Sequence, residues 1–230
     1  EIGVDVSHNI GEKGTVMIEI QNLTKVFQEQ TVLQNINATF DAGLIHGVIG
    51  KNGAGKTVLL RLLCGLMHPS KGQVIVDGKQ LGKDVDFAPD AGIIIETPCF
   101  LPYLSGFQNL KELASIRNII SKEEIAEAME QVKLDPSSRK HVGKYSLGMR
   151  QRLGIAQAIM ERPRYLILDE PMNGLDTQGM EDVRELLQKQ KETGVTVILA
   201  SHSMEDIRLL CDTVHRIQDA SLIPCTTEFS

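Results

Sequence analysis

The sequence predicts an α/β fold: a mostly parallel core sheet with a helical subdomain inserted into it. Three observations carry this reading. Four short apolar runs, at 44–49, 92–95, 165–168 and 195–200, each end on a glycine-rich or polar segment. Runs so short and so continuously apolar suit strands covered on both faces by helices. The stretches between them carry apolar residues at helical spacing. Finally, the region from roughly 97 to 155 offers two or three helices and no strong strand.

Taken in order, residues 1–16 are polar and contain glycine, and read as an extension that is disordered or introduced for expression; Met17 is a candidate start. The main domain is expected over 17–218. Strand-like stretches lie at 16–20 and 31–40, and Asp41-Ala42-Gly43 marks a turn. Helices are expected at 57–66, 109–120 and 122–132. Ser121 is placed to cap the last of these, with Glu124 at the capping-box position. The segment 147–160 carries Leu153, Ala156 and Ile159 on one face, with Pro163 beyond its end. The segment 180–191 aligns Val183, Leu186 and Leu187. Residues 219–230 show no strand–turn–strand pattern and read as an irregular tail.

Composition narrows the function. The chain has 230 residues, enough for a sizeable core. Its net charge of -6 and aromatic share of 4% argue against a nucleic-acid surface, which needs cations and stacking rings. Cys64, Cys99, Cys211 and Cys225 are far apart, without metal-like spacing, and suit free thiols in a reducing compartment. No secretory leader is visible, and no apolar run approaches the ~20 residues of a membrane helix. A cytoplasmic location is therefore expected.

The first chemical motif is Gly50-Lys51-Asn52-Gly53-Ala54-Gly55-Lys56-Thr57, which fits the P-loop pattern G-x-x-x-x-G-K-[ST]. Its glycines let backbone N–H groups turn inward as an anion nest, and the helix that follows adds its positive end. Lys56 supplies a cation for the β- and γ-phosphates of ATP, and Thr57 a hydroxyl for Mg²⁺. Val58 continues the loop into the helix. A strand before the motif and a helix after it set it apart from a chance glycine-rich turn.

Asp169 ends an apolar run, where a Mg²⁺-orienting aspartate is expected, and Glu170 beside it can act as general base toward water. Alone, such a pair could equally be a solvated turn or a helix cap. His202 ends the last apolar run and could alone be a cap. In a parallel sheet, however, all these strand ends lie along one edge, where ligands bind. Four segments thus deliver polar groups to one place.

At this point the residues resemble the ATP-binding-cassette (ABC) ATPases over nearly all of 17–217. The carriers are the P-loop at Gly50, then Tyr145-Ser146-Leu147-Gly148-Met149-Arg150-Gln151-Arg152, then Leu168-Asp169-Glu170-Pro171, then Asn173-Gly174-Leu175-Asp176, then His202. The resemblance implies a P-loop NTPase core with an antiparallel β-subdomain on its N-terminal side. It also implies two cassettes facing head to tail, as a homodimer or pseudo-dimer. Ser146, Leu147, Gly148 and Met149 of one would then meet the nucleotide on the other, with Asp176 linking the two sites. Glu170 would activate water and His202 would contact the γ-phosphate. Phe27 matches the adenine-stacking position, although a core role is the alternative.

Two departures stand out. The signature reads Tyr-Ser-Leu-Gly-Met rather than the usual Leu-Ser-Gly-Gly-Gln. The loop that usually carries a glutamine beside Mg²⁺ carries Glu96, in Ile95-Glu96-Thr97-Pro98. Glu96 could bind the metal directly or simply face solvent. Both departures, together with Leu104-Ser105-Gly106 and Asn109-Leu110, resemble the ATPase subunits of bacterial exporters for bacitracin and lantibiotic-type peptides. That resemblance implies a separate permease contacted near 97–107, a peripheral position on the inner membrane face, and no nucleic-acid partner. The alternative is a non-transport ABC ATPase such as an iron–sulfur assembly ATPase, which chain size allows.

Overall fold

A computed structural model describes residues 16–225. All but Val16 of the expected N-terminal extension, and residues 226–230 of the expected tail, lie outside the described residues. The chain opens with two long strands, β1 (Val16–Phe27) and β2 (Gln30–Asp41), paired antiparallel. Strands β4 (Lys71–Val76) and β5 (Lys79–Gln80) extend this sheet in the order β2-β1-β4-β5. The sequence reading assigned no strands at 71–80; their alternating burial is confined to a few residues.

The second sheet has the order β10-β9-β3-β8-β7-β6. Strands β3 (Ile45–Ile49), β6 (Ala91–Ile94), β7 (Tyr165–Asp169), β8 (Thr196–Ala200) and β9 (Thr213–Gln218) run parallel. Every residue of β3, β7 and β8 is buried. The two faces feed separate cores. Leu166, Leu168, Val197 and Leu199 join the core under the helices, while Tyr165, Ile167, Ile198 and Ala200 join the core shared with the antiparallel sheet. Such two-sided burial is why these strands read as unbroken apolar runs.

Helix α1 (Lys56–Cys64) follows β3 and buries Leu59, Leu60, Leu62 and Leu63 in the second core. Between β6 and β7 come α2 (Gly106–Arg117), α3 (Lys122–Gln131), a 3₁₀ turn (Val142–Lys144) and α4 (Leu147–Ile159). The Ser121–Glu124 capping box forms as expected: Glu124 N–H donates to Ser121 Oγ at 3.2 Å, and Ser121 N–H to Glu124 Oε2 at 2.8 Å. Helix α2 begins three residues earlier than expected, because Ser105 and Gln108 form a second capping box that permits a glycine in the first turn. Helices α5 (Thr177–Glu192) and α6 (Met204–Leu210) flank β8 in sequence. Among the described residues no helix is long and apolar enough to cross a membrane.

The expected irregular tail is corrected over 221–225. Strand β10 (Ser221–Cys225) pairs antiparallel with β9. The hairpin turns at Asp219 and Ala220, both at positive φ (49° and 60°). Such turns usually announce themselves by Asn-Gly or Asp-Gly; Asp-Ala carries no such signal. Docking supplies the compensation, since Gln34 N–H on β2 donates to the Ala220 carbonyl at 2.8 Å.

Candidate functional site

Because β3, β6, β7 and β8 are parallel, the residues that follow them meet at one edge of the sheet. A cleft of about 910 Å³ lies there, lined among others by Phe27, Lys51, Asn52, Gly53, Gly55, Lys56, Thr57, Val58, Glu96, Asp169 and Glu170. Helix α1 starts at this cleft with no side-chain cap and no acidic residue in its first turn. Its leading N–H groups and positive dipole end therefore face the loop without internal compensation, as an anion site requires. Gly55 is indispensable to that entry. Its φ is 106°, and a Cβ there would lie 2.9 Å from Val32 Cγ1.

Lys56 is 8% exposed and curls back over the loop. Its Nζ donates to the Gly50 carbonyl at 2.8 Å. Thr57 Oγ1 donates to Asp169 Oδ2 at 2.5 Å, so the two residues expected at a metal already touch. Burial, first of all, pushes the Asp169 carboxyl above its ordinary value; the Thr57 hydrogen bond opposes this, and Glu170 reinforces it.

Glu170 begins the loop after β7 at φ 49°, with its N–H bonded to the Ala200 carbonyl at 2.9 Å. A left-handed glutamate costs backbone energy and is kept where the surroundings enforce it. His202 Nδ1 lies 2.8 Å from Glu170 Oε2. The carboxylate can only accept, so the imidazole proton sits on Nδ1. Glu96 also holds a left-handed φ, 63°. Its carboxylate does not meet Asp169; it pairs with Arg61 of α1 at 2.7 Å.

Phe27 is 40% exposed at the rim of the cleft, with Lys25 Nζ 5.0 Å over its ring, so it is not a core residue. Ser146 caps α4, accepting from Met149 N–H at 3.2 Å. Leu147 also lines the cleft, and Gly148 lies against the Gly174 carbonyl. Asp176 caps α5 through Gly179 N–H at 2.9 Å.

Two participants went unassigned in the sequence reading. Gln151 is buried and donates from Nε2 to the Pro171 carbonyl at 3.0 Å, tying α4 to the segment after Glu170. Its position one turn after Leu147 was the available signal. Arg61 stands one turn after Thr57 by the same rule.

This architecture recurs in known proteins. The family model described as ABC transporter matches residues 33–173. The chain is 47% identical over 196 residues to an uncharacterised ABC transporter ATP-binding protein, YybJ of Bacillus subtilis strain 168, covering 85% of this chain and 90% of that protein. It is 41% identical over 209 residues to the bacitracin transport ATP-binding protein BcrA of Enterococcus faecalis, covering 90% and 68%. It is 35% identical over 207 residues to the lantibiotic transport ATP-binding protein SrtF of Streptococcus pyogenes, covering 90% and 89%. A solved ATP-binding subunit of an ABC transporter superposes with a TM-score of 0.82 at 26% identity, over 92% of this chain and 90% of that one. The chain belongs to the ABC transporter family, among its ATP-binding ATPase subunits.

Proposed function

We propose that this chain binds ATP with Mg²⁺ in the cleft at the start of α1 and hydrolyses it to drive a bacterial exporter of antimicrobial peptides or drugs. The observation that carries the chemistry is the convergence of Thr57–Asp169 and Glu170–His202 on one sheet edge, beside Lys56. Relatives named for bacitracin and lantibiotic transport support the cargo class. They also disfavour the iron–sulfur assembly alternative.

The residues fit a divalent cation. Asp169 is a carboxylate whose burial disfavours its charge, and Thr57 already presents a hydroxyl to it. When bound, Mg²⁺ would neutralise charge on the β- and γ-phosphates. Thr57 and Asp169 would hold it. Lys56 would leave its loop carbonyls for the phosphates, and Lys51, Asn52, Gly53, Ala54, Gly55 and Val58 would shape the nest around them. Phe27 would stack on the adenine.

Glu170 would take a proton from water as its oxygen attacks the γ-phosphorus, releasing ADP and phosphate. His202 would keep the carboxylate oriented and then reach the γ-phosphate. The opposite wall would come from a second cassette, which contributes Ser146, Leu147, Gly148 and Met149, with Asp176 at the junction. A separate permease would anchor this dimer at the inner membrane face, near residues 97–107.

One experiment tests cargo and chemistry together. Cells expressing the chain with a candidate permease are challenged with bacitracin or a lantibiotic. Resistance is expected from the parental chain and its loss from Lys56→Ala, with ATP binding measured on the purified proteins. Resistance unaffected by Lys56→Ala would overturn the reading.

A further inference from the structure

The cleft gathers three carboxylates, Asp169, Glu170 and Glu96, against two lysines, Lys51 and Lys56. Unrelieved, a third negative charge beside two others is unfavourable, and it would change how the site treats a cation. Relief comes from outside the loop. Thr57 and Arg61 stand four apart on α1 and therefore share a face. Thr57 reaches Asp169, and Arg61 reaches Glu96, with Nη2 2.7 Å from Oε1. One helix thus holds one carboxylate at the centre of the site through a hydroxyl, and another to its side through a guanidinium.

We propose that Arg61 is a positioning residue that holds Glu96 against α1, away from Asp169, and so limits how tightly the site takes a divalent cation with ATP. This rests on the reading of the cleft as a metal–ATP site. One feature favours a restraint over an incidental surface pair. Glu96 lies two residues beyond the end of β6 with a left-handed φ of 63°, so its backbone direction is imposed and only the side chain has freedom to choose a partner.

Exposure argues for exchange. The Arg61 and Glu96 side chains are 36% and 63% exposed. Ion pairs so open to water contribute little to stability. A divalent cation a short distance away is a stronger partner than one half-solvated guanidinium. The pair is therefore a weak latch that competes with the metal, and its removal should show in cation binding and leave folding nearly untouched.

The test titrates Mn²⁺ into the ATP-loaded chain and follows free Mn²⁺ by electron paramagnetic resonance. All proteins carry Glu170→Gln so that ATP persists. Four are compared: this background alone, with Arg61→Met, with Glu96→Gln, and with both. Arg61→Met is expected to tighten Mn²⁺ binding roughly three- to tenfold, as contacting charged residues couple. With Glu96→Gln present, Arg61→Met should produce no further shift. A weakened or unmoved midpoint in Arg61→Met, or a shift that persists without Glu96, overturns the latch. Should Arg61→Met fold poorly, Arg61→Gln answers the same question. Intact ATP binding with an unmoved Mn²⁺ midpoint rejects the latch alone. Failure of the background protein to bind ATP and Mn²⁺ rejects the function on which it rests.

Discussion

Glu170 and His202 are held together from two directions. His202 Nδ1 lies 2.8 Å from Glu170 Oε2, and the His202 backbone N–H lies 3.3 Å from the same oxygen. The residues come from the ends of adjacent parallel strands, β7 and β8, so the sheet register sets their separation. The proposed base and its orienting group are thus one unit, and the two variants should behave differently. Glu170→Gln keeps the shape and loses the proton acceptor. Phosphate release should fall by about 10²–10⁴-fold, the scale of general-base catalysis, while ATP binding is retained. His202→Ala leaves the acceptor but frees its orientation, and should lower kcat with little change in KM. Single-turnover phosphate release together with ATP retention on a filter distinguishes them. Normal turnover in Glu170→Gln would remove Glu170 from the role of base.

Most of this edge was legible in the sequence. Strands buried on both faces leave continuous apolar runs, and the polar residues that end those runs mark the edge directly. Two of the features that were not legible have clear physical reasons. The β9–β10 hairpin turns on Asp219–Ala220 and is held by Gln34 of a distant strand; no local signal encodes a turn stabilised from elsewhere. The side-chain direction of Glu96 was equally hidden. Its choice between metal, solvent and Arg61 depends on where α1 lies against β6, and spacing along the chain says nothing of that.

Acid should destabilise the fold through two histidines on neighbouring strands, the buried His46 and the half-buried His215. His46 Nε2 donates to the Asp41 carbonyl at 2.9 Å, which leaves Nδ1 to accept from Thr213 Oγ1 at 2.6 Å. His215 Nδ1 is buried without a partner, and Phe40 meets both rings edge-on. Burial, the largest cause, lowers both pKa values below 6.5; Asp41 and Asp212 only partly oppose this at His46. In the unfolded chain both rings protonate near 6.5, so below that pH the unfolded state binds more protons and stability falls. Above it these groups contribute no pH dependence. Melting temperatures across pH 8 to 5 should be flat at first and then drop below about 6.5. His215→Leu should shallow that drop. An identical acid profile in the variant would acquit His215.

Arg184 and Asp206 join the helices that follow the loops after β7 and β8. Arg184 of α5 approaches Asp206 Oδ1 of α6 through Nε at 2.9 Å and through Nη2 at 2.5 Å. Asp206 is 1% exposed, so removing the guanidinium strands a buried carboxylate. Breaking such a pair from one side typically costs about 3–5 kcal/mol. Arg184→Ala should therefore be strongly destabilising in a denaturant melt. Arg184→Ala with Asp206→Leu should recover much of the loss, because no charge then remains buried. If the double variant is no more stable than the single, the penalty arises from packing and not from the orphaned charge.

The final expectation concerns how closely α4 sits on the sheet. Gly92 lies in β6, and a Cβ added there would come 1.9 Å from the Ala158 carbonyl oxygen and 2.8 Å from Leu166 Cδ2. The first of these is backbone of α4, the helix that begins at Ser146 and Leu147. It cannot rotate away as a side chain would, so either the helix or the strand must shift. Overpacking of this kind costs about 1–3 kcal/mol, and a backbone obstacle places Gly92→Ala toward the upper end. For a domain of this size the melting temperature should fall by roughly 6–12 °C. Displacement of α4 also moves the signature residues at its start, so ATP-dependent dimer formation should weaken more than ATP binding itself. Light scattering with Glu170→Gln present measures the first, and equilibrium dialysis the second. A stable variant that dimerises normally would mean that the sheet and α4 have more clearance than this contact allows.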